Sequence, residues 1–509
     1  MKKSLFIAIF ILQGCMVGPN FTPPPQKELS KKDTKYLKSW WRIYHDKNLN
    51  RLISLAYRQN LDLKSAGVRI LESRALLGVS RGYAFPQLQK VSANGLIQNA
   101  KSQPQSSFTT TAGFDLGWEI DFWGKYARGI ESSKAKLFAS IASYRDVLVS
   151  IIAEVVKNYI TYESLRERII YAKRAIKIQE YVVKITKIQF NSGNVSELDM
   201  QQAKSQLYSL KSTLYELKLA KVKAQHSLAL LLGVTPDKIL KYLNKNTPPD
   251  KITTYLKNDK NIIQLDDRYS WRLSLVPMPK FNPNKRFDAK LLTQRPDVKV
   301  AEYIAHSKAA DIGVAESKLY PSFSLIGSIG YTNNSLLPYD ITVLAGPSFG
   351  WNIFQYGRIR EYIRLKDAAF EESLIEYNKT LLRAINEVSF ALNSYRLHKK
   401  ELIQNQKALK AAIRAFNISI KQYSDGLVSY QRLLNSIEKL TKYQDQYASI
   451  KASVAVDVTL LFKALGGGWQ ISTNKAYLSN DNISNLKSRG YWEKKLKKEQ
   501  ILLPKGWMR

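Results

Sequence analysis

The chain has 509 residues, of which 45% are hydrophobic, 24% charged and 11% aromatic. That composition excludes a disordered polymer and leaves room for a large core or several domains. The formal net charge of +36 is spread along the whole chain, as on solvated lysine-bearing helix faces, so charge alone does not make the protein a nucleic-acid binder.

The N-terminus reads first. Lys2 and Lys3 form a positive n-region, and Leu5 to Leu12 form an apolar run. A helix needs about 20 apolar residues to cross a bilayer, so this shorter run reads as a signal peptide over residues 1–14. Leu12-Gln13-Gly14-Cys15 follows as a bacterial lipobox, with Gln13 where a small residue is usual. Cys15 is the single cysteine, and a covalent lipid on its thiol removes the risk of stray pairing in an exported protein. Cleavage there takes the formal charge from +36 to +34. No later segment gives 18 uninterrupted apolar residues, so any further membrane crossing has to be a closed β-barrel.

The rest of the chain is written twice. Ala84-Phe85-Pro86 is echoed by Leu319-Tyr320-Pro321, and Trp118 to Lys125 by Trp351 to Arg358. Phe190-Asn191-Ser192-Gly193 is echoed by Tyr423-Ser424-Asp425-Gly426, and Leu231-Leu232-Gly233 by Ala464-Leu465-Gly466. The first pair is offset by 235 residues and the other three by 233, so a two-residue length difference lies between Pro86 and Trp118. Each copy opens with a helical run, Leu49 to Gly82 and Lys290 to Leu319, which a proline ends.

Strand pairs come next. Phe114, Leu116, Trp118, Ile120 and Phe122 alternate with glycines and acids, a period of two with one apolar face. Phe323, Leu325, Ile329 and Tyr331 repeat it, as do Phe349, Trp351 and Ile353, while Leu88 to Ile97 alternates more weakly. The pattern fits a sheet on a soluble core or a transmembrane barrel, and the export signal favours the barrel. Four strands cannot close one, since the smallest common barrels have about eight, so the pattern demands an oligomer.

Long helices follow. Glu131 to Ser192 and Arg358 to Asp425 contain neither glycine nor proline, and at ~1.5 Å per residue each could run roughly 90–100 Å. Val155, Tyr159, Tyr162, Leu165, Ile169 and Ala172, and on the return helix Leu207, Leu210, Leu214 and Leu217, recur at helical spacing and read as packing. Gly193 and Gly426 are placed to stop the long helices, and Ser196 and Ser429 to cap the returns.

Those residues give the domain plan. Residues 1–14 are the signal peptide and 15–48 a lipid-anchored N-terminal segment. The first repeat is 49–233, with a β-hairpin at 88–122, a long helix at 125–192 and a return helix at 196–232. A connector at 234–289 leads to the second repeat, 290–466, with a β-hairpin at 322–354, a long helix at 358–425 and a return helix at 429–465. The tail, 467–509, is basic. The fold class is an α+β membrane protein.

With its lipobox, its Gly18-Pro19-Asn20-Phe21 follow-on, Trp118 to Lys125 and the paired tips at Gly193 and Gly426, the sequence resembles the TolC/OprM-type outer-membrane efflux proteins over nearly the whole mature chain. The resemblance implies a homotrimer with a twelve-stranded outer-membrane barrel and a twelve-helix periplasmic tube. Segments 234–290 and 467–509 would wrap the waist of that tube. It implies hairpin tips, Gly193-Asn194-Val195-Ser196 and Gly426-Leu427-Val428-Ser429, that meet a periplasmic adaptor, and an inner-membrane pump, RND type first, that drives transport. Beyond the lipid on Cys15 and the outer-membrane lipid around the barrel it implies no cofactor, no metal and no nucleic acid. In the family acidic residues narrow the closed tip. Asp199 matches one such position, whereas the corresponding second-repeat positions are Arg432 and Asn435.

The function implied is a passive exit duct for small molecules. Two alternatives stay open on the residues: a conduit for type I protein secretion, and a strandless periplasmic coiled-coil scaffold held by its lipid. An enzyme is not expected, because His45, His226, His306 and His398 are scattered and no glycine-rich phosphate loop opens a helix.

Overall fold

A computed structural model describes residues 16–23, 36–98, 106–243, 256–259, 262–265, 275–282, 289–335, 337–492, 496–497 and 501–504. The leader and Cys15 lie outside the described residues. Helices α1 (Lys47–Gln59) and α2 (Leu61–Gly82) lead into strands β1 (Leu88–Gln98) and β2 (Ser107–Ile120). The long helix α3 (Lys125–Asn191) descends, α4 (Glu197–Leu232) returns, and the short α5 (Pro236–Leu243) follows. After a small hairpin, β3 (Leu256–Asp259) and β4 (Ile262–Leu265), the second copy runs α6 (Pro296–Glu316), β5 (Ser322–Asn334), β6 (Leu337–Gly350), α7 (Arg358–Ser424) and α8 (Tyr430–Ala464), with α9 (Asn480–Lys487) in the tail.

Local chemistry sets these boundaries. The first helical run splits at Asn60, whose side chain accepts from the Leu63 amide at 2.9 Å and starts α2 afresh. The second run splits at Arg295, because Pro296 occupies the first turn of α6, where a missing N–H does no harm. Both long helices start after a left-handed glycine, Gly124 (φ 77°) and Gly357 (φ 84°).

The echoed tryptophans make the same bond in each copy. Trp118 donates its indole N–H to the Ala84 carbonyl at 3.3 Å, and Trp351 donates to the Leu319 carbonyl at 3.0 Å, in both cases two residues before the proline. Trp351 and Ile353 nevertheless lie beyond the ladder, so the expected hairpin end at 354 is too long. The ladder stops at Ser322 opposite Gly350, because Pro321 has no amide to extend it. The β3–β4 hairpin has no counterpart in the sequence reading; Leu265 in β4 holds Asn417 of α7 through two bonds of 2.9 and 2.8 Å.

The four long strands form one antiparallel sheet, ordered β1-β2-β5-β6, so the two copies meet at β2 and β5. Its register aligns Val91, Phe114, Ile329 and Val343 in one row across all four strands. Asn94, Thr111, Thr332 and Asp340 align on the opposite face. A strandless scaffold is therefore not what this chain forms.

Beneath the sheet α3 is central. It packs on α2 and α6 in its upper part and on α4 and α8 below, while α7 packs on α6 and then α8. The main core lies where the helices meet the residues before α1, with Trp40 stacked on Phe462 at 5.0 Å. A second cluster, including Val182, Phe416, Ile420 and Leu433, fills the lower hairpins. Burying each such side chain contributes about 1.5–3 kcal/mol.

Candidate duct face, hairpin tips and aperture

Among the described residues, nothing covers one face of the sheet. Val91 is 79% exposed and Val343 69%, with Ile329 and Phe114 beside them. A contiguous exposed apolar surface with a polar reverse side calls for lipid on one side and water on the other. Among the described residues no helix is long and apolar enough to cross a membrane. Among the described residues, strands β1 and β6 each have a partner on one side only.

The far end of the chain carries the two tips. After α3 the Gly193 amide (φ 75°) bonds to the Phe190 carbonyl and the Asn194 amide to the Gln189 carbonyl, both at 2.9 Å. After α7 the Gly426 amide (φ 74°) bonds to Tyr423 and the Leu427 amide to Gln422, at 3.1 and 2.8 Å. Both are complete Schellman endings, with the glycine two residues past the last helical residue.

The starts of the return helices differ. Ser196 accepts from the Asp199 amide at 3.3 Å while the Asp199 carboxylate accepts from the Ser196 amide at 3.1 Å and its hydroxyl at 2.9 Å, a closed capping box. Ser429 makes no side-chain cap bond: the Arg432 amide donates to the Ser429 carbonyl at 3.1 Å, and the Arg432 side chain has no acceptor with which to return the second bond of a capping box. Its neighbour Gln431 donates to Asn435 at 3.5 Å. Arg432, Asn435 and Leu427 are exposed, Leu427 at 73%. Among the described residues no ion pair joins Asp199 to Arg432.

Just inside the tips the hairpins lock together. Tyr423 shares a 2.8 Å hydrogen bond with Thr186 and sits edge-on to Tyr430, while Gln189 donates to the Tyr423 carbonyl at 3.0 Å. Burial pushes the Tyr430 phenol up to about 12, and nearby Asp199 adds to the rise against a Gln179 hydrogen bond. The sequence carried one signal of this seam: the first copy has Phe190 where the second has Tyr423, so a hydroxyl is added at matched positions. Higher up, Lys451 of α8 reaches the fully buried Glu167 of α3 at 2.9 Å, and Arg168 grips Asp445 at 2.6 Å.

An exposed apolar sheet face at one end and paired hairpin tips at the other suit a duct, and the comparison with known proteins decides which one. The family model for "Outer membrane efflux protein" matches residues 52–234 and again 289–467. This chain belongs to the outer membrane efflux protein family.

The probable outer membrane lipoprotein SilC of Salmonella typhimurium is 26% identical over 91% of this chain and 97% of its own length. The toluene efflux pump outer membrane protein TtgC of Pseudomonas putida is 24% identical over 93% and 96%. In structure the fold matches the Campylobacter jejuni CmeC outer membrane channel with a TM-score of 0.74 at 24% identity, covering 93% of this chain and 98% of that one. As an outer membrane efflux protein the chain resides in the outer membrane and serves as an efflux channel, not as an enzyme. That assignment accounts for the long helices and for the four strands.

Proposed function

We propose that three copies close into one passive duct, with twelve strands in the outer membrane and twelve helices beneath. The supporting observation is the four-stranded sheet, which among the described residues has an uncovered apolar face and an unpaired edge at each side. Pairing β6 of one copy with β1 of the next removes all edges at once, as a membrane requires. Segments 234–289 and 467–509, parts of which lie outside the described residues, are assigned to the waist. A lipid on Cys15 adds an anchor, in keeping with the name lipoprotein carried by SilC.

The tips at Gly193-Asn194-Val195-Ser196 and Gly426-Leu427-Val428-Ser429 dock a periplasmic adaptor, and an inner-membrane pump of RND type supplies the energy. Asp199, Arg432 and Asn435 ring the aperture. With an arginine in the ring, cations are favoured less than in a wholly acidic one. The cargo is a small molecule.

Two measurements test this. Native mass spectrometry of the purified protein is expected to give three chains, and a stable monomer in lipid nanodiscs would refute the closed barrel. A photocrosslinker at Leu427 is expected to capture an adaptor of a drug-efflux system. No capture, together with unchanged drug sensitivity in a deletion strain, would sink the efflux partnership.

A further inference from the structure

The Gly18-Pro19-Asn20-Phe21 segment has no task in the duct as described so far, yet it lies in a socket that both copies build. Arg128 of α3 is 1% exposed. Its Nε donates to the Val17 carbonyl at 3.0 Å, and its Nη2 to the Gly18 carbonyl at 2.9 Å and to the Asn20 Oδ1 at 2.8 Å. Its Nη1 pairs with Glu131 at 2.8 Å. Glu131 in turn bonds to His306 of α6 at 2.9 Å, and that imidazole stacks on Phe21 at 4.9 Å and 15°. The Val17 amide closes the contact by donating to the Trp123 carbonyl at 3.2 Å.

The backbone approach depends on three glycines from three parts of the chain. Gly18 has φ +90°, and a Cβ on it would stand 2.4 Å from the Gly313 Cα. A Cβ on Gly313 would meet the Val17 carbonyl oxygen at 2.7 Å, and one on Gly124 would meet the Met16 Cγ at 2.6 Å. Contacts that close leave no room for any larger residue. The segment supplies three of the guanidinium's four hydrogen-bond partners, and without it Arg128 keeps Glu131 alone among them. The socket is thus built for an occupant with two successive carbonyls, a glycine at positive φ and an aromatic ring three residues on.

We propose that this socket is a peptide-docking site whose ligand is the chain's own segment Met16–Phe21, and that docking fixes the point at which residue 15 leaves the protein. That point lies beside Gly124, between the end of β2 and the start of α3. The consequence for an acyl chain rests on the lipidation proposed above: the lipid enters the bilayer at one set position on the rim instead of at the end of a loose leash. The docking itself needs no lipid. It also ties α3 of the first copy to α6 of the second.

Hydrogen–deuterium exchange on the full-length protein in detergent, read on peptides covering residues 16–23, tests it. The Val17 amide is expected to be protected, and Gly18→Ala and Arg128→Ala to speed its exchange at least ~10-fold. Phe21→Ala should give a smaller acceleration. A Cys15→Ser chain exported with an ordinary cleavable leader should keep the protection. If Arg128→Ala does not fold, Gly18→Ala, which leaves α3 and α6 untouched, decides alone. Rapid exchange in the wild type, protection that survives Gly18→Ala, or protection lost in Cys15→Ser would each overturn the docking site. The mass of the N-terminal peptide separates the two ideas. A protected segment without acyl groups would refute lipidation and keep docking, and an acylated but unprotected one would do the reverse.

Discussion

Helices α3 and α7 each run for 67 residues, yet 35 residues of α3 are buried and only 13 of α7. The same plan has been placed in two environments. Helix α3 is surrounded by its own chain, and stretches such as Leu148 to Val156 are apolar nearly all round. Helix α7 buries one seam, in which Ser373, Thr380, Ala384, Ala391 and Tyr395 succeed one another at steps of seven and four. Elsewhere it exposes Leu365, Ile375, Leu382, Phe390 and Leu397, each by 60% or more. Helix α4 likewise exposes Tyr208, Tyr215 and Leu219. These are the flanks of the monomer, just as β1 and β6 are the flanks of its sheet. The comparison teaches that equal copies become unequal when only one of them is wrapped by its own chain, and the exposed flanks are the surfaces that the proposed closure would give to the next copy.

The hardest test of a central α3 is its buried charge. Lys451→Met leaves Glu167 unpaired in the core and is expected to cost about 3–5 kcal/mol in denaturant unfolding. Adding Glu167→Gln should recover much of that loss, and a cost below about 1 kcal/mol for the single change would show that α3 is not held as described.

Truncating one buried and one exposed apolar side chain separates the two helices directly. Ile160→Ala in α3 should cost about 2–4 kcal/mol. Leu382→Ala in α7 should change the unfolding of the isolated chain by at most about 0.5 kcal/mol. In native mass spectrometry the same α7 variant should shed trimer in favour of monomer. Equal effects of the two truncations on the isolated chain would erase the distinction.

Asp146 sharpens the contrast through pH. Burial, helped by Asp297 and opposed by Arg295 and Lys463, pushes its carboxyl up to about 6 from the usual 3.8. The folded chain therefore holds a proton that the unfolded chain releases between those values, and stability falls as pH rises through that window. Asp146→Asn should raise stability by about 2 kcal/mol above pH 7 and leave it unchanged near pH 4, as thermal melts across pH would show.

The smallest effects are at the tips. Ser196→Ala opens the capping box and should cost about 1 kcal/mol, whereas Ser429→Ala, with no side-chain bond to lose, should cost a few tenths. Amide exchange at the start of each return helix reads the difference. Equal losses would mean that the tips are capped alike.

What the sequence revealed was local. Glycines at positive φ, prolines at strand entry, period-two alternation and the twofold spelling each act within a few residues, and the helices and strands stand where they point. The reading overran where alternation continued past the ladder, at Trp351 and Ile353. It missed Asn60 as a cap inside an apparently continuous run, and it missed the β3–β4 hairpin. The Ser196 to Asp199 spacing was a capping-box pattern, which the structure shows closed whatever the aperture does. Glu167 and Lys451 were out of reach because they lie 284 residues apart. No periodicity told which long helix would be central, since that is decided by which neighbours the fold supplies.

The equal length of α3 and α7 carries a consequence for how such a chain can change. Between the echoed proline and tryptophan the copies differ by two residues, so the strand hairpins have absorbed an insertion. The helices have absorbed none. One extra residue in α3 would turn everything below it by about 100° and lower its tip by ~1.5 Å relative to its twin. Every contact from Thr186 to Tyr423 would then fall out of step. Length in these helices is inherited as a matched pair, and a lengthened or shortened duct has to be edited in both copies at once.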